Sequence, residues 1–105
     1  MNTHDIHILQ EAHEDLKAIF AHIAKENYRA ANRVHDEIVQ KIGGLRDFPR
    51  RGRPVPEKQM SNAGYRMLLV RPYIVFYRVI NKDVFVYRVV HGASNYPRLY
   101  NSFEV

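Results

Sequence analysis

Between Tyr65 and His91, three runs rich in β-branched and aromatic residues follow one another with almost nothing between them: YRMLLV, YIVFYRVI and VFVYRVVH. Arg71-Pro72 separates the first pair and Asn81-Lys82-Asp83 the second. A parallel crossover needs a dozen residues or more, so connections this short force neighbouring strands to be antiparallel. The chain is thereby committed to a three-stranded meander over 65–70, 73–80 and 84–91. One face of that meander must be covered by what precedes it.

The preceding half supplies the cover. DIHIL alternates polar and apolar residues and predicts a first strand over roughly 5–9. Ala12, Leu16, Ile19, Phe20 and Ile23 then recur at spacings of three and four, the stripe of an amphipathic helix. Glu11, Glu14 and Asp15 fall at its start, where they complement the helix dipole. Asn27 is placed to stop this helix and cap a second, whose stripe is Ala31, Val34, Ile38, Ile42 and Leu45. Gly43 and Gly44 weaken its end by ~1 kcal/mol each relative to Ala. So short a connection makes an antiparallel helix hairpin. The predicted class is α+β, with the order β-α-α-β-β-β and the hairpin on one face of a small, mainly antiparallel sheet. With 105 residues, one domain spanning 1–105 is expected.

Strand parity bears on two arginines set within the sheet. In YIVFYRVI, Tyr73, Val75, Tyr77 and Val79 share one face, and Ile74, Phe76, Arg78 and Ile80 the other. If Ile80 pairs with Val84 across a three-residue loop, Arg78 and Arg88 stand on one exposed face. Phe85, Tyr87 and Val89 then join Tyr73, Val75 and Tyr77 under the helices. A two-residue loop reverses the last strand, because a one-residue slip flips every side chain. The three-residue register is the one expected here. Exposed arginines would suit an acidic ligand; the plainer use is pairing with local carboxylates or lying over aromatic rings.

Between the helices and the meander, FPRRGRPVPEKQMSNAG carries Pro49, Pro54, Pro56, Gly52 and Gly64. It predicts a semi-extended loop, longer than a plain connector. Arg50, Arg51 and Arg53 make it basic, as a binding element or as a solvated charge cluster. The charge is lopsided throughout: residues 1–49 hold six Lys/Arg against eight Asp/Glu, and residues 50–105 hold ten against three. The second half should attract an acidic partner. The tail GASNYPRLYNSFEV predicts a short turn or an irregular arm.

Several chemistries are disfavoured. There is no cysteine, no HxxxH, no P-loop, no GxGxxG and no nucleophile elbow, so neither metal nor cofactor is expected. The start lacks the layout of a signal peptide, and no apolar run approaches ~20 residues. The expectation is a cytoplasmic protein without a membrane partner.

The order of elements, together with GRPVPE, YRMLLV, YIVFYRV and RVVHG, resembles the RelE/ParE superfamily of type II toxin–antitoxin toxins, also known for plasmid stabilisation. AHEDLKAIFAHIA is similar to the family's helical start. The resemblance covers essentially the whole chain and implies a growth-inhibiting toxin neutralised by a cognate antitoxin protein. Its branches differ in target. RelE-like members are metal-independent endonucleases acting on mRNA at the ribosome; ParE-like members act on DNA gyrase.

For the nuclease branch, the residues implied are Arg66, Arg78, Arg88, His91 and Tyr100, arginines for phosphate and His91 or Tyr100 for proton transfer. That set is incomplete. Leu68 and Ile74 stand where basic residues are expected, and Ala93 and Ser94 follow RVVHG where both branches commonly have arginine. The strands resemble the ParE-like branch more closely, which implies a non-enzymatic toxin. Residues expected to bind antitoxin or target are Arg50, Arg51, Arg53, Arg78, Arg88, Tyr96 and Arg98. A third reading is a non-toxic basic module that binds nucleic acid.

Overall fold

The computed structural model describes residues 3–92 and 95–103; Ala93 and Ser94 lie outside the described residues. Strand β1 (Asp5–Ile8) leads into helices α1 (Gln10–Ala24) and α2 (Tyr28–Gly43), followed by a short 3-10 turn over Gly44–Arg46. The loop then holds a two-residue strand β2 (Arg53–Pro54) and a short helix α3 (Lys58–Asn62). Strands β3 (Arg66–Val70), β4 (Tyr73–Ile80) and β5 (Asp83–His91) complete a five-stranded sheet of order β1-β5-β4-β3-β2. Only the β1–β5 pair is parallel. No helix among the described residues is long and apolar enough to cross a membrane.

Local chemistry sets these boundaries. Asn27 caps α2 as expected, its Oδ1 accepting from the Ala30 N–H at 3.0 Å. Helix α3 opens on the Glu57 carboxylate, which accepts from the Gln59 and Met60 N–H groups. It closes on Gly64 at φ 91°, with the Gly64 N–H donating to Ser61 and the Tyr65 N–H to Met60. This double closure needs the left-handed conformation that glycine adopts freely, and it delivers Tyr65 to the sheet.

The α1–α2 hairpin covers one face of the sheet. Leu16, Ile38, Ile42 and Leu45 pack on Val75, Tyr77, Val84, Val86 and Val89. The other face is closed by α3 and by the tail, which forms 3-10 turns over Tyr96–Ser102. The tail is therefore more than an arm: Phe103 is buried among Tyr65, Phe76 and Tyr87.

The β4–β5 register departs from the expectation. Ile80 pairs with Asp83 across a two-residue loop, so Arg78 faces Phe85 and Tyr77 faces Val86. Asn81 takes φ 55°, a conformation that tight loops demand and asparagine tolerates. Parity consequently places Phe85 and Tyr87 on the tail side, while Val84 and Val86 lie under the helices. A bulge then intervenes: Tyr77 pairs with Val86 and Phe76 with Arg88, leaving Tyr87 as the extra residue. The extra residue restores Val89 to the helix face, opposite Val75.

Two further expectations are corrected. Phe20 does not enter the core against the sheet; it is half-buried, edge-on to Tyr28 and His35. Ile23 is likewise half-buried and is not among the residues that pack against the sheet.

Candidate functional site

The basic loop is fixed from beneath by two side chains of the sheet. Tyr77, fully buried, accepts the Gly52 N–H on its hydroxyl at 2.9 Å. Arg66 donates through Nε and Nη2 to the Gly52 carbonyl at 3.0 and 2.7 Å, and through Nη2 to the Arg50 carbonyl at 3.3 Å. A Cβ at residue 52 would lie 2.6 Å from the Met67 carbonyl and 2.7 Å from the Tyr77 hydroxyl, so only glycine fits. Arg66 thus spends its guanidinium on backbone carbonyls and holds the chain that carries Arg50, Arg51 and Arg53.

Arg88 is closed by α1. Its Nε and Nη2 donate to the two Asp15 carboxylate oxygens at 2.7 and 3.0 Å, and Glu11 lies 4.0 Å from Nη1. Asp15 also accepts the Val89 N–H at 2.9 Å, meeting a backbone donor of β5 beyond the end of its β1 partner. The Asp15 hydrogen bond raises the Arg88 pKa further, against the opposing effect of burial. A bidentate pair this enclosed is not an open phosphate site. The exposed placement expected of Arg88 is not found, because the carboxylate comes from a helix rather than from the sheet.

Arg78 lies among rings on the tail side. Its Nε and Nη2 donate to the Tyr87 hydroxyl at 3.0 and 2.8 Å, and Nη1 to the Ala63 carbonyl at 3.3 Å. The guanidinium carbon is 5.1 Å from the Tyr65 ring centre and 5.3 Å from that of Tyr87. Burial, with Tyr87 adding to it, pushes the Tyr65 pKa up to about 12, while Arg78 pulls the other way. Tyr100 stands edge-on to Tyr65 at 5.5 Å.

The five residues of the nuclease reading are therefore divided. Arg66 shares a face with Tyr77, on the helix side, and His91 pairs with Tyr73 and meets its ring edge-on at 5.7 Å. Arg78 and Tyr100 meet around Tyr65 on the tail side. Of the remaining binding candidates, Tyr96 packs half-buried on Phe76 at 5.0 Å and Arg98 is exposed.

Arg50, Arg51 and Arg53 are exposed, and none forms an ion pair with a carboxylate among the described residues. Arg51 lies over the ring of Phe48, 5.0 Å from its centre, and that ring is 60% exposed. Two open clefts flank Arg51: one of ≈ 420 Å³ within Asp47–Arg51, and one of ≈ 380 Å³ between Lys41, Arg53 and the Met67–Leu69 backbone run.

The sequence reading missed Asp15, Tyr77 and Phe48 as parts of this arrangement. One signal was available: Glu11 and Asp15 are four apart, so they line one side of α1 beside its buried stripe. Nothing local in sequence marks Tyr77 as the anchor of a residue 25 positions away.

With this geometry in view, comparison with known proteins is specific. The family described as the ParE toxin of type II toxin–antitoxin systems, parDE, matches residues 6–96. The chain belongs to that family, within the RelE/ParE superfamily of type II toxins. It is 32% identical over 84 residues to "Putative toxin Y4kP" of Sinorhizobium fredii (strain NBRC 101917 / NGR234), covering 80% of this chain and 83% of that one. The fold is similar to that of the chromosomal ParDE TA system from P. aeruginosa, with a TM-score of 0.70 and 24% identity, over 87% of this chain and 98% of that one. It is also similar to the toxin–antitoxin complex RelBE2 from Mycobacterium tuberculosis, with a TM-score of 0.64 and 20% identity, over 85% and 98% of the chains.

Proposed function

We propose that this toxin arrests growth by binding DNA gyrase, without cutting RNA, and that a cognate antitoxin neutralises it. The observation that carries this reading is the employment of the three arginines of β3, β4 and β5. Arg66 holds backbone carbonyls, Arg88 holds Asp15, and Arg78 is held by Tyr87 and Ala63. Cleavage by 2′-hydroxyl attack needs several cations and a proton shuttle converging on one phosphate. Here they are divided between two faces of a sheet. Family membership supports the gyrase branch, and the two structural neighbours, both toxin–antitoxin assemblies, support an antitoxin partner.

The deciding assay is gyrase supercoiling with purified components, with cleavage complexes scored on the same gel. Inhibition or accumulation of cleaved DNA is expected. No effect with toxin well above gyrase concentration would reject the gyrase reading. Co-expression of the neighbouring gene should restore growth.

One juxtaposition favours the endonuclease reading, the meeting of Arg78 and Tyr100 around Tyr65. Primer extension after brief induction discriminates: new 5′ ends inside translated codons would establish RNA cleavage and displace gyrase as the target.

A further inference from the structure

We propose that the solvent-facing groove of the α1–α2 hairpin is a binding site for a small aromatic carboxylate. A cleft of ≈ 390 Å³ lies between the two helices, lined by Leu16 and Phe20 with His13, Lys17, Asn32 and His35. That volume belongs to the small end of the range of ligand pockets. The cleft shares no residue with those flanking Arg51, and it stands apart from the gyrase and antitoxin readings.

Helical spacing builds the groove. His13, Lys17 and Phe20 follow one another at four and three residues along α1, and Asn32 and His35 are three apart along α2. Each set therefore lines one side of its helix. Leu16 is buried and closes the bottom. The half-buried Phe20 ring stands edge-on to Tyr28 at 5.6 Å and to His35 at 6.2 Å. The apolar floor is thus in place before a ligand arrives, which lowers the cost of binding. A ligand ring meeting Phe20 gains the offset or edge-to-face contact that aromatic pairs prefer.

The rim sets the charge of the ligand. His13, Lys17, Asn32 and His35 all carry N–H donors, and no carboxylate lines the cleft. This runs against the surrounding half of the chain, where residues 1–49 hold eight Asp/Glu against six Lys/Arg. Neither His13 nor Lys17 pairs with a carboxylate among the described residues. His35 Nδ1 lies 3.6 Å from the exposed Asp36. Asn32 donates through Nδ2 to the Tyr28 carbonyl at 3.3 Å, which leaves its second amide hydrogen for a ligand. One ammonium balances one negative charge, so a carboxylate fits this rim better than a phosphate dianion. The neighbouring donors then supply charge-assisted hydrogen bonds.

The test titrates the full chain with phenylacetate and follows amide chemical shifts. Phenylacetamide serves as the neutral analogue and acetate as the anion without a ring. Phenylacetate should shift the amides of His13–Phe20 and Asn32–His35 saturably. Phenylacetamide should bind roughly tenfold more weakly, for want of charge-assisted bonds, and acetate roughly tenfold more weakly, for want of an apolar body. Lys17→Gln should weaken phenylacetate binding roughly fivefold, the upper worth of one exposed ion pair. Asn32→Asp sets a carboxylate in the rim at unchanged volume and should weaken it roughly tenfold. Both positions are exposed, and unchanged shifts in the sheet establish that the variants are folded. Shifts confined to Asp47–Arg53, equal binding of the three probes, or indifference to both substitutions would each overturn the proposal. So would shifts of the groove amides that follow protein concentration without ligand, because a second copy of the chain would then be the occupant. Growth arrest and its rescue do not enter this test, so its failure leaves the gyrase and antitoxin readings as they stand.

Discussion

The two faces of the sheet are closed by different means. On the helix side, aliphatic residues from regular stripes interdigitate: Leu16, Ile38 and Ile42 against Val75, Val84, Val86 and Val89. On the tail side, irregular chain covers the sheet with rings: Tyr65, Tyr87, Tyr100 and Phe103 form a chain of aromatic contacts around Arg78. A helix presents a side chain to its partner every three or four residues, so small aliphatic groups suffice. A short irregular segment has few such chances, and each ring buries about 150–250 Å². Few large contacts thus do on one face what many small ones do on the other. The helix side should consequently share the cooperativity of the whole fold, and the tail side should be separable from it.

The largest effect is expected on the helix side. Ile38 has no exposure and sits in the middle of α2. Ile38→Ala should cost about 2–5 kcal/mol, because neighbours locked in two regular elements cannot collapse into the cavity. Urea unfolding followed by far-ultraviolet circular dichroism should show one transition at a lower midpoint. Phe103→Ala should cost less, about 2 kcal/mol, below the range for a fully enclosed ring, because the tail can leave the sheet rather than enclose a void. Tyrosine fluorescence should then report loosening before circular dichroism does. If Phe103→Ala equals Ile38→Ala in cost, with coincident transitions, the contrast between the faces is wrong and the sheet unfolds as one body.

How far the fold was legible follows the same division. The helix hairpin, its Asn27 cap and the antiparallel meander rest on periodicity and short connections, both local properties of sequence. The register of β4 and β5 does not. It turned on whether Asn81 would accept a left-handed conformation in a two-residue loop, and the three-residue choice reversed Phe85 and Tyr87. The bulge at Tyr87 then undid that reversal for Val89, which alternation alone cannot foretell. The arginines were visible but their partners were not. Asp15 is 73 positions from Arg88, and only the docking of α1 beside the free part of β5 joins them. The plainer expectation, local carboxylates or aromatic rings, named the right kinds of group but not which arginine meets which: Arg88 meets a carboxylate that is far away in sequence, on α1, and Arg78 meets rings on the tail side, so neither stands on an open face.

The smallest effect to be sought concerns the tyrosine at the centre of the tail side. The Tyr65 hydroxyl, with an ordinary value of 10.0, is pushed up to about 12 by burial first and by Tyr87 second. The neutral phenol is thus the form the folded state prefers, and the unfolded chain gives up its proton at lower pH. Stability from this group is complete below pH 10 and is lost as pH rises through 10 toward 12. Tyrosinate absorbance at 295 nm should test this directly: the signal removed by Tyr65→Phe should belong to the late end of the titration. If the missing signal instead titrates near the ordinary value, the tail side admits water and is looser than its ring contacts indicate. Arg78 sharpens the test, because its charge stabilises the phenolate against the burial that opposes it. Arg78→Met should therefore move the Tyr65 step later still. A step that moves earlier would mean that Arg78 chiefly keeps the rings packed, with water reaching Tyr65 once the guanidinium no longer bridges Tyr87 and Ala63.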